Sequence, residues 1–498
     1  MHNRWRILIV IIFIYLPVSL DATVLYVVAP ILSVQLQATH NELLWIMDIY
    51  PLVMASLLIP MGTLGDRLGF KKLAVYGSAI FGVASLAAAF AWTPALLICA
   101  RALLAAGAAM IVPATLAAVR KNFPNEKERN MALGIWTTIG TGGALAGPVV
   151  GGILLNSFYW GSVFLINIPV VLFVLFLLHK VVPNDKSSGH QSVNLSQSLL
   201  LMSALLLLIY SAKSLVHHDN SAIMSTYIFL TGAVLLGCFI VLQIVSRSPL
   251  IDPGLISQRN IIAGVVLAMT SMITLVGFEL VISQELQFVH RFTPVQAGLY
   301  VMPLMLSCCL AGPLAGHLIS RFGIKTVAVA GLAVSALSLY VLAGVDFVNH
   351  SWTAWAWMSL LGAGDTVALM ASSSAIMTAA PVNKASSAGS IEGMSYELGT
   401  GLGITIFGSV IAGVYSSTVR LPDNLPPALS GPAGASFSEA IEVSRHLDEA
   451  TRDTLLKAAS SAFMHSHSIT LESASLILSM LMILTFFIFE QGKAVSRD

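Results

Sequence analysis

Fourteen apolar runs, each about twenty residues long, fill most of this chain, and mostly short polar connections separate them. A run of that length spans the hydrocarbon core of a bilayer as an α-helix, in which every backbone group is paired within its own segment. Charged residues make up only 10% of the chain and hydrophobic ones 56%, whereas a soluble domain carries about a quarter charged residues. So few charges cannot cover a water-facing surface, and lipid must be the solvent for most of the molecule. The expected fold class is therefore all-α integral membrane. The runs are placed at 7–30, 43–63, 73–92, 94–118, 131–155, 162–182, 195–216, 222–246, 260–283, 297–320, 325–345, 352–378, 388–415 and 467–489. The N-terminus resembles a signal peptide, but its apolar run continues past Asp21 and no small-x-small cleavage site closes it, so a retained first helix is expected.

The connection after the second run reads Gly62-Thr-Leu-Gly-Asp-Arg-Leu-Gly-Phe-Lys-Lys72, and a related string recurs from Gly316 to Lys325. Glycine, leucine, arginine, glycine and lysine fall at matching offsets, with Ser320 standing where Asp66 stood. A helix–loop–helix repeated at this distance implies two homologous halves. The seventh and eighth runs have no counterpart in either half. The expected organisation is a six-helix bundle over 1–182, two inserted membrane helices over 183–259, and a second six-helix bundle over 260–498 that carries a long polar loop at 416–466. That loop opens rich in Pro, Gly and Ser and is expected to hold a short amphipathic helix from Glu439 to Phe463.

Orientation follows from the basic residues. Arg4 and Arg6 precede the first run, and Arg67, Lys71, Lys72, Arg120, Lys121, Lys127, Arg129, Lys180, Lys186, Arg247, Arg259, Arg321, Lys325 and Lys384 follow even-numbered runs. Lys493 and Arg497 form the tail, and the short odd connections hold only Lys213 and Arg291. Both termini are expected in the cytoplasm, and the 416–466 loop outside it.

Several ionisable residues lie inside apolar runs, where a charged side chain costs about 2.5–3.5 kcal/mol on insertion scales. Asp21 is the first. A carboxylate in lipid holds a proton or a cation but not both well, which is the simplest coupling for antiport. Asp48 lies one turn from Trp45, so acid and indole share a face suited to a lipophilic cation. Glu279, Ser283 and Gln287 form a polar stripe expected to face a cavity. Glu285 is expected nearer the outer end and solvated, and Asp365 follows Gly362 and Gly364 with either placement open. Glu392 shares a face with Tyr396, whereas Glu397 points elsewhere and lies deeper. Each of these acids also has a plain structural reading, in which a backbone, hydroxyl or solvent partner satisfies it.

Gly143, Gly147 and Gly151 leave one face of the fifth run without side chains, and Pro148 removes a helix hydrogen bond there. A bend at an interface between halves is expected to serve as a rocking element. Cys99, Cys238, Cys308 and Cys309 lie in apolar runs without ligand spacing and read as single thiols. The pairs His217-His218 and His465-x-His467 read as solvated loop residues rather than zinc ligands. No nucleotide-binding loop appears, a net charge of +1 argues against a nucleic-acid partner, and neither cofactor nor metal is expected.

These strings resemble the fourteen-helix drug:proton antiporters of the major facilitator superfamily, over essentially the whole chain. The resemblance rests on Gly62-x-Leu64-x-Asp66-Arg67-x-Gly69-x-Lys71-Lys72, on Leu20-Asp21-Ala22-Thr23-Val24 with Ala29-Pro30, on Gly143-x-x-x-Gly147-Pro148-x-x-Gly151-Gly152 and on Phe164 to Pro169. The segments Glu42 to Tyr50 and Glu392 to Gly399 are similar to those of exporters of quaternary ammonium disinfectants and of methyl viologen. It implies two pseudo-symmetric six-helix bundles plus an inserted pair, and proton-driven export of lipophilic cations from the bacterial inner membrane by a monomer whose partners are protons, drugs and lipid. It pairs Arg101 with Asp21 and makes Asp66 and Arg67, with Gly62, Gly69 and Lys71, a gate. The fourth-run motif departs from the family pattern, since Leu104 and Ala105 replace its glutamine and glycine. Two other readings stay open at this point: a proton-coupled importer of an organic solute, and a membrane sensor that transports nothing.

Overall fold

In a computed structural model the chain is helical, with no strand among the described residues. Those residues are 2–183, 195–217, 222–246, 249–251, 253–381 and 385–488. Lys186, Arg247, Lys384, Lys493 and Arg497 lie outside them, as do the side chains of Asp66, Arg120, Lys127 and Arg129. The first half comprises α1 (His2–Gln35), α2 (His40–Leu68), α3 (Phe70–Ala89), α4 (Pro94–Asn122), α5 (Glu126–Ser157), α6 (Ser162–Leu165) and α7 (Asn167–Val181). The inserted pair is α8 (Leu195–His217) and α9 (Ala222–Val245). The second half comprises α10 (Pro253–Ile256), α11 (Arg259–Gln284) with a π-helical turn (Glu285–Val289), α12 (Pro294–Phe322), α13 (Ile324–Leu342), α14 (Ser351–Ala379) and α15 (Ala385–Thr418). It ends with α16 (Pro427–Ala435), α17 (Phe437–Ser444) and α18 (Glu449–Ile488). Among the described residues, 13 spans are long and apolar enough to cross a membrane. α5 adds an apolar stretch, Gly142–Ser157, that runs over side chains outside the described residues.

The connection after the second run is shorter than expected. α2 continues through Gly62 to Leu68, and Gly69 alone separates it from α3. Gly69 has φ +83° and Gly323, between α12 and α13, has φ +80°, a region closed to most side chains. The Gly69 N–H donates to the Gly65 carbonyl at 2.8 Å and the Gly323 N–H to that of Ile319 at 2.9 Å. Beyond each turn a lysine reaches the last membrane helix of its own half. Lys71 Nζ donates to the Val182 carbonyl at 2.7 Å, and Lys325 Nζ lies 4.1 Å over the Phe486 ring. The two strings are one turn built twice.

Two large apolar cores follow the halves, one centred on α1–α7 and one on α11–α15 with α18, while a smaller cluster joins α9 and α10 to α2, α8 and α15. The last span also departs from expectation. The amphipathic stretch does not stand alone from Glu439 to Phe463: α17 stops at Ser444, and α18 runs unbroken from Glu449 into the membrane span. α16 and α17 lie at the end of the molecule opposite Gly69, termed here the cap end and the turn end. At the cap end the halves meet directly. Gln287 Nε2 donates to the Val27 carbonyl at 2.9 Å, His40 Nε2 lies 2.9 Å from the Gly408 carbonyl, and the His40 N–H donates to Glu439 Oε1 at 3.1 Å.

Candidate functional site

The site starts from the way α1 sits on α5. The glycine stripe of α5 admits α1 so closely that a Cβ on Gly147 would come within 3.0 Å of the Leu20 carbonyl oxygen, and one on Gly151 within 2.7 Å of Val24 Cγ2. Thr23 Oγ1 donates to the Ala144 carbonyl at 2.7 Å and Ser19 Oγ to that of Ile139 at 3.4 Å. Asp21 lies two residues from each, about 200° around the helix, and so is turned from α5 toward α4. There Arg101 Nη1 meets Asp21 Oδ2 at 2.5 Å, with both side chains buried. Arg101 Nε donates to the Ile46 carbonyl of α2 at 3.2 Å, and its guanidinium lies 4.6 Å from the centre of the Tyr50 ring. Asp21 Oδ1 is buried without a hydrogen-bond partner.

Two further acids act on aromatic residues of the same half as this pair. Tyr15 stacks on Trp136 with ring centres 4.5 Å apart. Glu397 of α15 acts electrostatically on Tyr15, Tyr26 and Tyr50, and Glu279 of α11 on Tyr26, so two carboxylates of the second half act on aromatic residues of the first. Glu279 is buried, with Oε1 unpartnered. Among the described residues no cation pairs with Glu279 or Glu397. One turn before Glu397, the Tyr396 hydroxyl donates to Glu392 Oε1, which joins the two residues expected to share a face. The expected stripe on α11 is broken by the π-helical turn: Glu279 and Ser283 stay on the buried face, while Gln287 is carried across to α1.

Asp48 is also fully buried, yet not vacant. Lys213 of α8 places Nζ 2.6 Å from Asp48 Oδ2 and 4.2 Å from the centre of the Trp45 ring. Thr405 of α15 donates to the same oxygen at 2.8 Å. Sequence reasoning treated Lys213 as part of an odd connection and missed it as a buried charge. The signal was present, since a lysine within an apolar run invites the same question as an aspartate there.

Two expectations away from the centre are corrected. Glu285 is not solvated: it is buried in the π-helical turn between His290 Nε2 at 3.3 Å and His467 Nδ1 at 2.5 Å. His467 is correspondingly a buried residue of α18 rather than a loop histidine. Asp365 is buried against α13 beside Ser335. The stripe Gly143, Gly147 and Gly151 lets α5 approach α1 of its own half closely. Between the halves α5 meets α12 at Pro148, whose carbonyl oxygen would stand 2.7 Å from a Cβ on Gly298, and at Gly152, where a Cβ would stand 2.7 Å from Val295 Cα. At the turn end Gly62 and Gly69 keep their places around an exposed Arg67, and the Asp66 side chain lies outside the described residues.

Comparison with known proteins agrees with this architecture. The sequence profile of the Major Facilitator Superfamily matches residues 11–278 and 260–422. The methyl viologen resistance protein SmvA of Salmonella typhimurium is 51% identical over 98% of this chain and 98% of its own length. The multidrug efflux pump LfrA of Mycolicibacterium smegmatis is 33% identical over 93% of this chain and 91% of its own. Among solved structures, a bacterial homologue of the human lysosomal transporter Spinster, in an inward-facing and unoccupied conformation, superposes with a TM-score of 0.70 over 98% of both chains, at 16% identity.

Proposed function

The chain belongs to the Major Facilitator Superfamily, and from that premise we propose that it is a proton-driven exporter of lipophilic organic cations. The substrates we assign are methyl viologen, quaternary ammonium antiseptics and cationic dyes, and the membrane is the bacterial inner membrane. The observation that carries the reading is that Glu279 and Glu397 of the second half act electrostatically on Tyr15, Tyr26 and Tyr50 of the first while no cation pairs with either acid among the described residues. A buried carboxylate left bare in lipid is costly. It is discharged in two ways, by a proton or by a cationic guest, and the two exclude each other. Tyr15, Tyr26, Tyr50 and Trp136 supply the π-faces on which such a guest rests. Asp21 differs in kind, because Arg101 already balances its charge; loading of Asp21 with a proton frees Arg101 and alters the field at Tyr50. Glu392 stands between one and two turns toward the turn end on the helix of Glu397, and with Tyr396, which donates to it, serves the cation's path.

In this reading the turn end faces the cytoplasm, as its basic residues require, and the structure is the state closed at the outer, cap end. Asp66, Arg67 and Lys71 gate the open end, and the Pro148–Gly298 approach is where the halves rock. The glycine turn at Gly69 keeps the gate short. The membrane potential contributes about 2.3 kcal/mol per charge per 100 mV, so export of a monovalent cation gains from it only when more than one proton enters per cycle, and export of the divalent methyl viologen only when more than two do. Everted membrane vesicles test the proposal directly. An imposed pH gradient should drive uptake of methyl viologen and of a quaternary ammonium compound but leave a neutral drug behind. Uptake that ignores the gradient, or accumulation in the opposite sense, contradicts it; the latter would restore the importer.

A further inference from the structure

Besides apolar packing, a buried lysine ties the inserted helices to the transport core. Asp48 belongs to α2 of the first half, Thr405 to α15 of the second and Lys213 to α8 of the inserted pair, so a single carboxylate oxygen joins three structural units. The surroundings of the ammonium are those that recognise a lipophilic cation. A carboxylate lies at 2.6 Å, an indole face at 4.2 Å, and Tyr210 stands 6.3 Å from Trp45. The side chains of Lys213 and Asp48 are both 0% exposed. An ion pair this deep is replaced by apolar residues at little cost, whereas loss of one partner leaves a bare charge. The pair therefore calls for an explanation other than stability.

We propose that Lys213 is the tethered occupant of a cation site formed by Asp48, Trp45 and Tyr210, which it keeps closed to the transported cation while holding the inserted pair to α2 and α15. The site is the same kind of acid-and-ring receptor as the central one, but its cation is part of the chain. This gives the inserted helices a task in specificity: they remove one of the acids from competition for substrate. Asp48 then remains balanced even when the Thr405 contact between the halves opens, because α8 also packs on α2. The inference rests on the proposed function in taking the excluded ligand to be the transported cation; its binding arm stands without it.

The test is equilibrium binding of methyl viologen to the purified full chain in lipid nanodiscs. Lys213→Ala should gain about one further bound cation per chain, and adding Asp48→Asn should weaken that gained site about tenfold or more. Lys213→Arg, which keeps a tethered cation, should gain none. In transport, Lys213→Ala should lower the maximal rate while the apparent KM falls, because the released acid retains substrate; a merely structural lysine would lower the rate without that fall. Unchanged binding by Lys213→Ala, or a gain equally present in Lys213→Arg, overturns the inference. Should Lys213→Ala fail to fold, the unsubstituted chain decides. Emission assigned to Trp45, taken as the difference between the chain and Trp45→Phe, should remain unquenched at saturating methyl viologen, and quenching would overturn the inference. A chain that in its unsubstituted form neither binds nor moves methyl viologen sinks the proposed function alone, because a cation gained by Lys213→Ala would still stand.

Discussion

At the scale of single residues, the two classes of intramembrane acid make different demands. Glu397 and Glu279 have no cation beside them among the described residues, whereas Asp21 shares its charge with Arg101. Glu397→Gln should abolish methyl viologen efflux while the protein still inserts, as seen by drug susceptibility alongside membrane abundance. Asp21→Asn should uncouple efflux from the pH gradient, measured as gradient-dependent uptake in vesicles. Arg101→Ala should instead destabilise the protein by about 3–5 kcal/mol, because it leaves Asp21 buried and bare; thermal unfolding in detergent reads this, and Arg101→Lys should lose less. The acids were legible in the sequence because a carboxylate inside an apolar run stands out against the cost of placing it there. Lys213 was not weighed in the same way because it lies near the end of its run, where snorkelling to the interface is the ordinary explanation. Its partners on α2 and α15 are distant in sequence, and no local pattern links them.

At the scale of elements, the contacts that position these acids are set by glycine. A side chain at Gly147 would collide with Thr23 and with the Leu20 carbonyl, so Gly147→Leu should push α1 off α5 and cost about 1–3 kcal/mol. It should also displace Asp21 from Arg101 and lower efflux well beyond the loss of folded protein. Gly69→Ala and Gly323→Ala should each cost about 1–3 kcal/mol, because positive φ with an extended ψ is open essentially to glycine alone, and the near identity of the two turns predicts effects of similar size. Thermal unfolding of both variants checks this. Helix existence was legible throughout because a run of about twenty apolar residues has one solution in lipid. Helix ends were less so. α2 runs on through Gly62 and Gly65 because glycine permits a turn without compelling one, and only the backbone shows that Gly69 is where φ becomes positive. α18 extends back to Glu449 because Leu455, Ala459 and Phe463 find buried partners, which a reading of hydropathy alone does not supply. The same extension brings His467 to Glu285.

At the scale of the whole molecule, the repeated turn made the two-fold organisation readable, and the two cores follow it. Which end is closed was not readable, since one sequence must encode both states of an alternating-access cycle. In this structure the cap end is held by Gln287 on Val27, His40 on Gly408 and Glu439 on His40. Glu439→Ala together with Gln287→Ala should loosen that end. A cysteine introduced at Ser283 should then react faster with a membrane-impermeant thiol reagent added from the outside. The central claim is that protons and cations take turns on the buried carboxylates. Its most direct measurement is proton movement in proteoliposomes loaded with a pH-sensitive dye. Addition of methyl viologen to one side should drive protons the opposite way, and Glu397→Gln should abolish the signal. Methyl viologen flux that moves no protons, or a signal untouched by Glu397→Gln, Glu279→Gln and Asp21→Asn in turn, would contradict it.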